Sequence, residues 1–143
     1  MSKEHLIRLL KGINFDAILY TAAITFAILW APRSLQTTLL YIVLAIALIC
    51  WLIARAQLGK AFSLRPKGSQ LITHGFYRFI RNPIYLFTGI ANTAIICILQ
   101  IPWLHVLIPI SIALQSYRAH AEAKVLEDKF GVLYKQYRAK TWF

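Results

Sequence analysis

The residues with the most chemistry lie between Leu71 and Tyr85: Thr73, His74, Gly75, Tyr77, Arg78, Arg81, Asn82, Pro83 and Tyr85. This short segment joins two apolar runs, and a plain connector between apolar helices needs far fewer polar groups. Gly75 permits a turn that other residues resist. Pro83 lacks an amide hydrogen and biases Asn82 toward extended backbone, so a helix is expected from Ile84 onward with Arg81 and Asn82 at its N-terminal mouth. Such a mouth favours an anionic group, and the Arg81 guanidinium can grip a carboxylate with two hydrogen bonds. The competing reading is an arginine pair that only follows the positive-inside rule.

A second reactive stretch runs from Arg118 to Tyr137. Glu122 is its most prominent member, because Ser111, Gln115, Arg118 and Glu122 follow spacings of four, three and four and so share one helical face. Thr88 and Asn92 lie one turn apart on the preceding apolar run. Polar groups inside an apolar span normally face the protein interior. These positions therefore predict a polar cavity with greasy walls, lined by Thr88, Asn92, Ser111 and Gln115. The alternative is that they only hydrogen-bond helices together. Glu122 is placed to hold a ribose hydroxyl or an ammonium group, or to pair with Arg81 or Arg118. His74 has no neighbouring Cys or Asp, so no metal site is expected. Phosphate loops, nucleophile elbows and paired carboxylates are absent from the sequence.

The elements that position these residues follow from composition. Of 143 residues, 59% are hydrophobic, and the mean hydropathy is +0.59. The apolar residues come in blocks, which marks an integral membrane protein of one domain, residues 1–143. The net charge of +11 belongs beside the apolar spans, where it sets orientation and meets anionic lipid; no nucleic-acid partner is expected. Cys50 and Cys97 sit inside apolar runs and read as small core residues.

In order, residues 1–12 are expected to form an interfacial amphipathic helix. Four transmembrane helices follow: 15–31, 38–54, 84–100, and a fourth beginning at 104–117. The fourth is expected to continue past Tyr117 as an amphipathic cytoplasmic helix that bends or breaks at Gly131. The 15–31 run is long for a signal peptide, and Asp16 interrupts it. Pro32 to Ser34 is a tight loop, residues 55–82 a large basic one, and Ile101 to Trp103 a short turn. Every Lys and Arg except Arg33 lies in the N-terminal segment, the large loop or the C-terminal tail. Four spans put those three segments on one side, the cytoplasmic side of the cell's inner membrane. The fold expected is thus all-α and polytopic.

Together these residues resemble the isoprenylcysteine carboxyl methyltransferase family and, more broadly, the membrane phospholipid methyltransferases. The likeness covers about residues 58–137. It rests on Leu58-Gly59-Lys60-Ala61-Phe62-Ser63, then Leu71 through Tyr85, then Glu122, Leu126, Phe130, Gly131, Tyr134 and Tyr137. Ala123 departs from the pattern, which has a second glutamate there. The resemblance implies S-adenosylmethionine as methyl donor, bound at the cytoplasmic side. It implies Arg81 and Asn82-Pro83 at the methionine carboxylate, Glu122 and the backbone of Thr73, His74 and Gly75 at the amino and ribose groups, and Tyr77, Phe130 and Tyr134 around adenine. Arg81, Tyr85 and Glu122 are the catalytic candidates. The acceptor would be lipophilic, a prenylcysteine-like carboxylate or a lipid head group, entering from the bilayer toward Thr88, Asn92, Ser111 and Gln115. Two other readings stand beside this one. One is a sterol-reductase-type enzyme, although Leu86-Phe87-Thr88 lacks the glutamate that type carries after its related block. The other is a non-catalytic transporter-like bundle using Asp16.

Overall fold

The computed structural model describes residues 20–58 and 71–143. The expected interfacial helix at 1–12, Asp16, the start of the first span and the Gly59 to Ser63 part of the family pattern all lie outside them. The described residues are helical: α1 (Tyr20–Trp30), α2 (Leu35–Leu58), α3 (Pro83–Leu99), α4 (Leu107–Phe130) and α5 (Val132–Lys140), with 3₁₀ turns at Gly75–Arg78 and Pro102–Val106. Among them no strand forms, and the β-type pairing present is an isolated parallel bridge between Ile80 and Trp142.

Local chemistry sets the boundaries. Ser34 and Thr37 cap α2 reciprocally: the Thr37 amide donates to Ser34 Oγ at 3.2 Å, and the Ser34 amide to Thr37 Oγ1 at 3.0 Å. Each removes an amide otherwise orphaned at a helix start. Pro83 opens α3 as its first residue, as its spacing predicts. Gln100 closes α3 in the left-handed region at φ 51°, which lets the chain reverse into α4. Gly131, also at positive φ, separates α4 from α5, so the expected bend is a break between two helices.

The core forms where small residues let helices approach. Ala27 of α1, Leu44 and Ala47 of α2, and Ala91, Ala94, Ile95 and Ile98 of α3 make one buried cluster, the small-residue packing used where lipid surrounds a bundle. Large apolar side chains point the other way. Ile42, Ile46, Ile49 and Ile53 of α2 are exposed, as are Phe26 and Leu29 of α1 and Ile110 and Leu114 of α4. Surfaces this apolar are unfavourable in water and favourable in lipid.

The expected third span, 84–100, matches α3 to within one residue at each end, but length and composition do not mark all four helices as spans. Among the described residues α2 is long and apolar enough to cross a membrane, with a window hydropathy of 2.5. α1 is described only from Tyr20, and α3 has 17 residues, about 25 Å at 1.5 Å per residue, short of a hydrocarbon core of about 30 Å. α4 has the length, but its second half, from Arg118, is polar. Helix length and composition therefore establish one candidate span rather than four.

Candidate functional site

Two cavities meet beside the N-terminus of α3. The first, about 290 Å³, is walled by Arg81, Asn82, Pro83 and Tyr85 from the start of α3, by Glu122, Leu126 and Phe130 from α4, by Tyr137 from α5, and by Leu71, Ile72 and Tyr77 from the segment before α3. Its volume falls near the lower end of small-molecule sites, roughly 300 Å³. The second, about 600 Å³, lies further along α3 and α4 and includes Thr88, Asn92, Ser111 and Gln115 in its walls, with Tyr20, Trp51 and Arg118. Arg55, Ile84 and Tyr85 belong to both.

Arg81 and Glu122 thus share one cavity. Neither is in an ion pair among the described residues, whose charge pairs are those of Glu127 with Lys135 at 3.6 Å and Arg138 at 3.8 Å. Arg81 Nε is buried with no hydrogen-bond partner. A buried guanidinium N–H normally finds an acceptor, so this one is an unmet donor at the cavity. Glu122 is exposed, with its carboxylate close enough to the Tyr85 hydroxyl to act on it. Arg81 and Glu122, in no ion pair among the described residues, line this cavity together with Arg55 and Lys129, so it presents both signs of charge to one small space.

The phenols around this cavity are held neutral. Burial, and then the nearby Glu122 carboxylate, raise Tyr77 far above the usual tyrosine range. Burial pushes Tyr137 up to about 12, with Tyr134 the next cause. Neutral phenols donate hydrogen bonds and do not serve as bases at physiological pH. Tyr137 does so, donating to the Tyr77 carbonyl at 2.8 Å.

Not every expected donor residue is in the wall. Thr73 lines a separate cavity with Arg78 and Lys140. His74 and Gly75 are exposed and stand outside both cavities. Tyr134 is completely buried behind the wall, its hydroxyl unpartnered. The amides of Arg81 and Asn82, expected to face a ligand, instead donate to the Trp142 and Phe143 carbonyls at 2.9 and 3.0 Å. The Asn82 side chain also donates to Phe143, at 3.2 Å. Those two amides are thus spent on the tail, while Arg81 lines the cavity.

In the second cavity Tyr20 donates to Asn92 Oδ1 at 2.9 Å, and Asn92 Nδ2 donates to Ser111 Oγ at 3.0 Å. Thr88 bonds back to the Ile84 carbonyl. Asn92 and Ser111 therefore also bind helices together, as the alternative reading held, while the Thr88 bond stays within α3. Gln115 differs: it is 9% exposed, in the wall, and makes no hydrogen bond to the described residues.

Sequence reasoning missed Arg55, Gln57 and the Trp142–Phe143 segment. Tyr137 is in the family pattern but has no place in the expected site, although it is in the cavity wall. Gln57 had no signal: its side-chain oxygen accepts from the Phe76 amide at 2.9 Å, tying the end of α2 to the turn that leads to Arg81. Phe76 also packs edge-on against Phe87 of α3, centroids 5.2 Å apart.

Gly75 is what lets Gln57 come this close. Its φ is +61°, and a Cβ there would overlap the Gln57 amide. Gly75→Ala should cost about 1–2 kcal/mol for the left-handed backbone alone, more with Gln57 displaced, and lower the thermal midpoint in detergent. Gly89→Ala, where a Cβ meets nothing within 4 Å, should leave it unchanged or raise it. Equal midpoints for the two variants would contradict this account of the turn.

Comparison with known proteins adds one match. A family model described as phospholipid methyltransferase matches residues 35–132, which takes in α2, α3, α4 and the Arg81–Glu122 cavity. No curated protein and no solved structure matches the chain.

Proposed function

The chain belongs to the phospholipid methyltransferase family, and from that premise we propose that its smaller cavity binds S-adenosylmethionine and its larger one a lipophilic acceptor. The observation that carries this reading is the pair Arg81 and Glu122, unpaired with each other and facing one cavity. Arg81 takes the donor's carboxylate, and Glu122 takes its ammonium or a ribose hydroxyl. Phe130 and Tyr77 supply flat apolar surface for adenine. Asn82 and Tyr137 hold the wall in place rather than contacting the reacting atoms.

S-adenosylmethionine supplies a methyl group on a sulfonium, a good leaving group. Bound there, it would offer that methyl carbon to a lone pair on the acceptor's oxygen, nitrogen or sulfur, with the neutral thioether as the leaving group. The chain's own contribution is alignment and exclusion of water, which can supply most of such a rate enhancement. No catalytic dyad is needed for a carboxylate or thiolate acceptor. Tyr85 and Ile84, common to both cavities, stand at the transfer point. The acceptor's tail lies along Ile95, Ile110 and Leu114, and its polar end meets Gln115, Arg118 and the Arg55 side.

The membrane arrangement follows the same reading. α1 to α4 each cross or enter the bilayer, with both chain ends and the basic 55–82 segment on the cytoplasmic side, where the donor is made. Asn92 and Ser111, bonded across α3 and α4, then lie at membrane depth with their polar groups satisfied.

The test is transfer itself. The purified full chain is incubated with methyl-labelled S-adenosylmethionine and total membrane lipid, and the products are partitioned. Label is expected in one organic-soluble species, dependent on intact protein. Label confined to the aqueous donor, under conditions where calorimetry shows the donor bound, would overturn the acceptor class.

A further inference from the structure

We infer that the backbone of Trp142 and Phe143 is a positioning strap for Arg81, setting how the guanidinium points across the donor cavity; this rests on the donor reading above. The linker between the 3₁₀ turn and α3 has little structure of its own. The turn's internal bonds stop at Ile80, whose amide donates to the Phe76 carbonyl at 2.9 Å. The next two amides, Arg81 and Asn82, are served by the tail, at 2.9 Å from Trp142 O and 3.0 Å from Phe143 O, and Pro83 has no amide to offer. Trp142 closes the bridge by donating to the Phe79 carbonyl at 2.8 Å. The tail is itself anchored one turn earlier, where the buried Tyr137 hydroxyl donates to the Tyr77 carbonyl.

This matters for Arg81 because, among the described residues, no side-chain hydrogen bond fixes its guanidinium. Nε is buried and unpartnered, and neither Glu122 nor Glu127 pairs with it. The direction of the side chain is then inherited from its backbone, and the strap sets that backbone. The Trp142 indole is 65% exposed, so its ring adds little to the core. The useful part of Trp142 is its N–H and C=O.

The experiment separates backbone from side chain, in the full chain in detergent. Trp142→Ala keeps both backbone groups. Trp142→Pro removes the N–H that donates to Phe79, and Thr141 before it is already extended (φ −120°, ψ 149°), which proline tolerates. Three quantities are read: the Kd for S-adenosylmethionine, amide hydrogen exchange at Arg81 and Asn82, and exchange across α2 and α3. Trp142→Pro should weaken donor binding roughly tenfold, the scale of one lost hydrogen bond. It should speed exchange at Arg81 and Asn82 while α2 and α3 stay protected. Trp142→Ala should match wild type in all three. Faster exchange with an unchanged Kd would make the strap structural only and overturn the inference, as would equal effects of Ala and Pro. If Trp142→Pro loses protection throughout, Tyr137→Phe, which keeps the ring and removes only the anchoring hydroxyl, decides by the same readouts. A wild-type protein that does not bind the donor would sink the donor reading and this inference with it. Normal wild-type binding retained by Trp142→Pro and Tyr137→Phe would sink this inference alone.

Discussion

Arg81→Ala is expected to weaken S-adenosylmethionine binding by about 100-fold while the protein stays folded. A hydrogen bond to a charged group contributes about 1.5–3 kcal/mol, and each 1.4 kcal/mol is about tenfold in Kd. Loss of one bidentate carboxylate contact therefore falls between roughly ten- and 150-fold. The expected value lies toward the upper end because the contact is bidentate, although Arg55 and Lys129 keep some positive charge in the same cavity wall. Stability should change little, because among the described residues Arg81 has no ion-pair partner to orphan and its Nε has no acceptor to lose. Arg81→Lys should recover part of the loss, since it keeps the charge and loses the fork. Calorimetry in detergent, with circular dichroism as the folding control, measures both. A Kd within about twofold of wild type for Arg81→Ala would remove the donor site from this corner. A matching loss of helicity would make Arg81 structural instead.

Much of this corner was legible because its signals are local. Pro83 starts α3 and Gly75 turns the chain because each carries its backbone preference in its own side chain, or in the lack of one. The four-three-four spacing on α4 put Ser111, Gln115 and Arg118 along one cavity, and Glu122 at the next, because helical period alone decides which residues share a face. What was not legible is pairing at a distance. The bonds from Arg81 and Asn82 to Trp142 and Phe143 join backbone groups some 61 residues apart, and backbone groups leave no mark in residue type. For the same reason nothing in the sequence signals that Asn82, which lines the cavity, also donates its side-chain amide to Phe143. Thr73, His74 and Gly75 match the family pattern but are not in the cavity wall, and the bond from Phe76 to Gln57 that ties their turn to α2 joins residues 19 apart. Span count stands differently. Hydropathy located the third apolar run to within one residue of α3 at each end, but a helix of 17 residues is too short to mark a span by length alone.

Of the residues common to the two cavities, Tyr85 brings them closest in chemistry. Its ring is part of both walls, and its hydroxyl is near enough to Glu122 and Arg118 for each to act on it. One residue thus touches the charge of the donor side and the apolar path of the acceptor side. Ile84 beside it gives shape without polarity, and Arg55, 5.1 Å from the Trp51 ring centroid, gives charge at the end of α2. A group in that position bears on the reaction step more than on either binding step.

Tyr85→Ala should accordingly lower turnover by roughly 10- to 100-fold and leave donor Kd within about threefold. Losing the ring joins the cavities, admits water at the transfer point and lets the acceptor sit off line. A displacement of about 1 Å from the reacting line can cost on the order of 100-fold. Donor binding survives because Arg81 and Glu122 are untouched. Tyr85→Phe divides the effect: near-normal turnover would assign the role to the ring's bulk, and a loss as large as that of alanine would assign it to the hydroxyl beside Glu122. Single-turnover transfer with pre-bound labelled donor reads the chemical step, and calorimetry reads the Kd. An unchanged single-turnover rate in Tyr85→Ala would move the transfer point away from the shared wall. A donor Kd raised as far as in Arg81→Ala would make Tyr85 part of the donor site rather than the partition between the two.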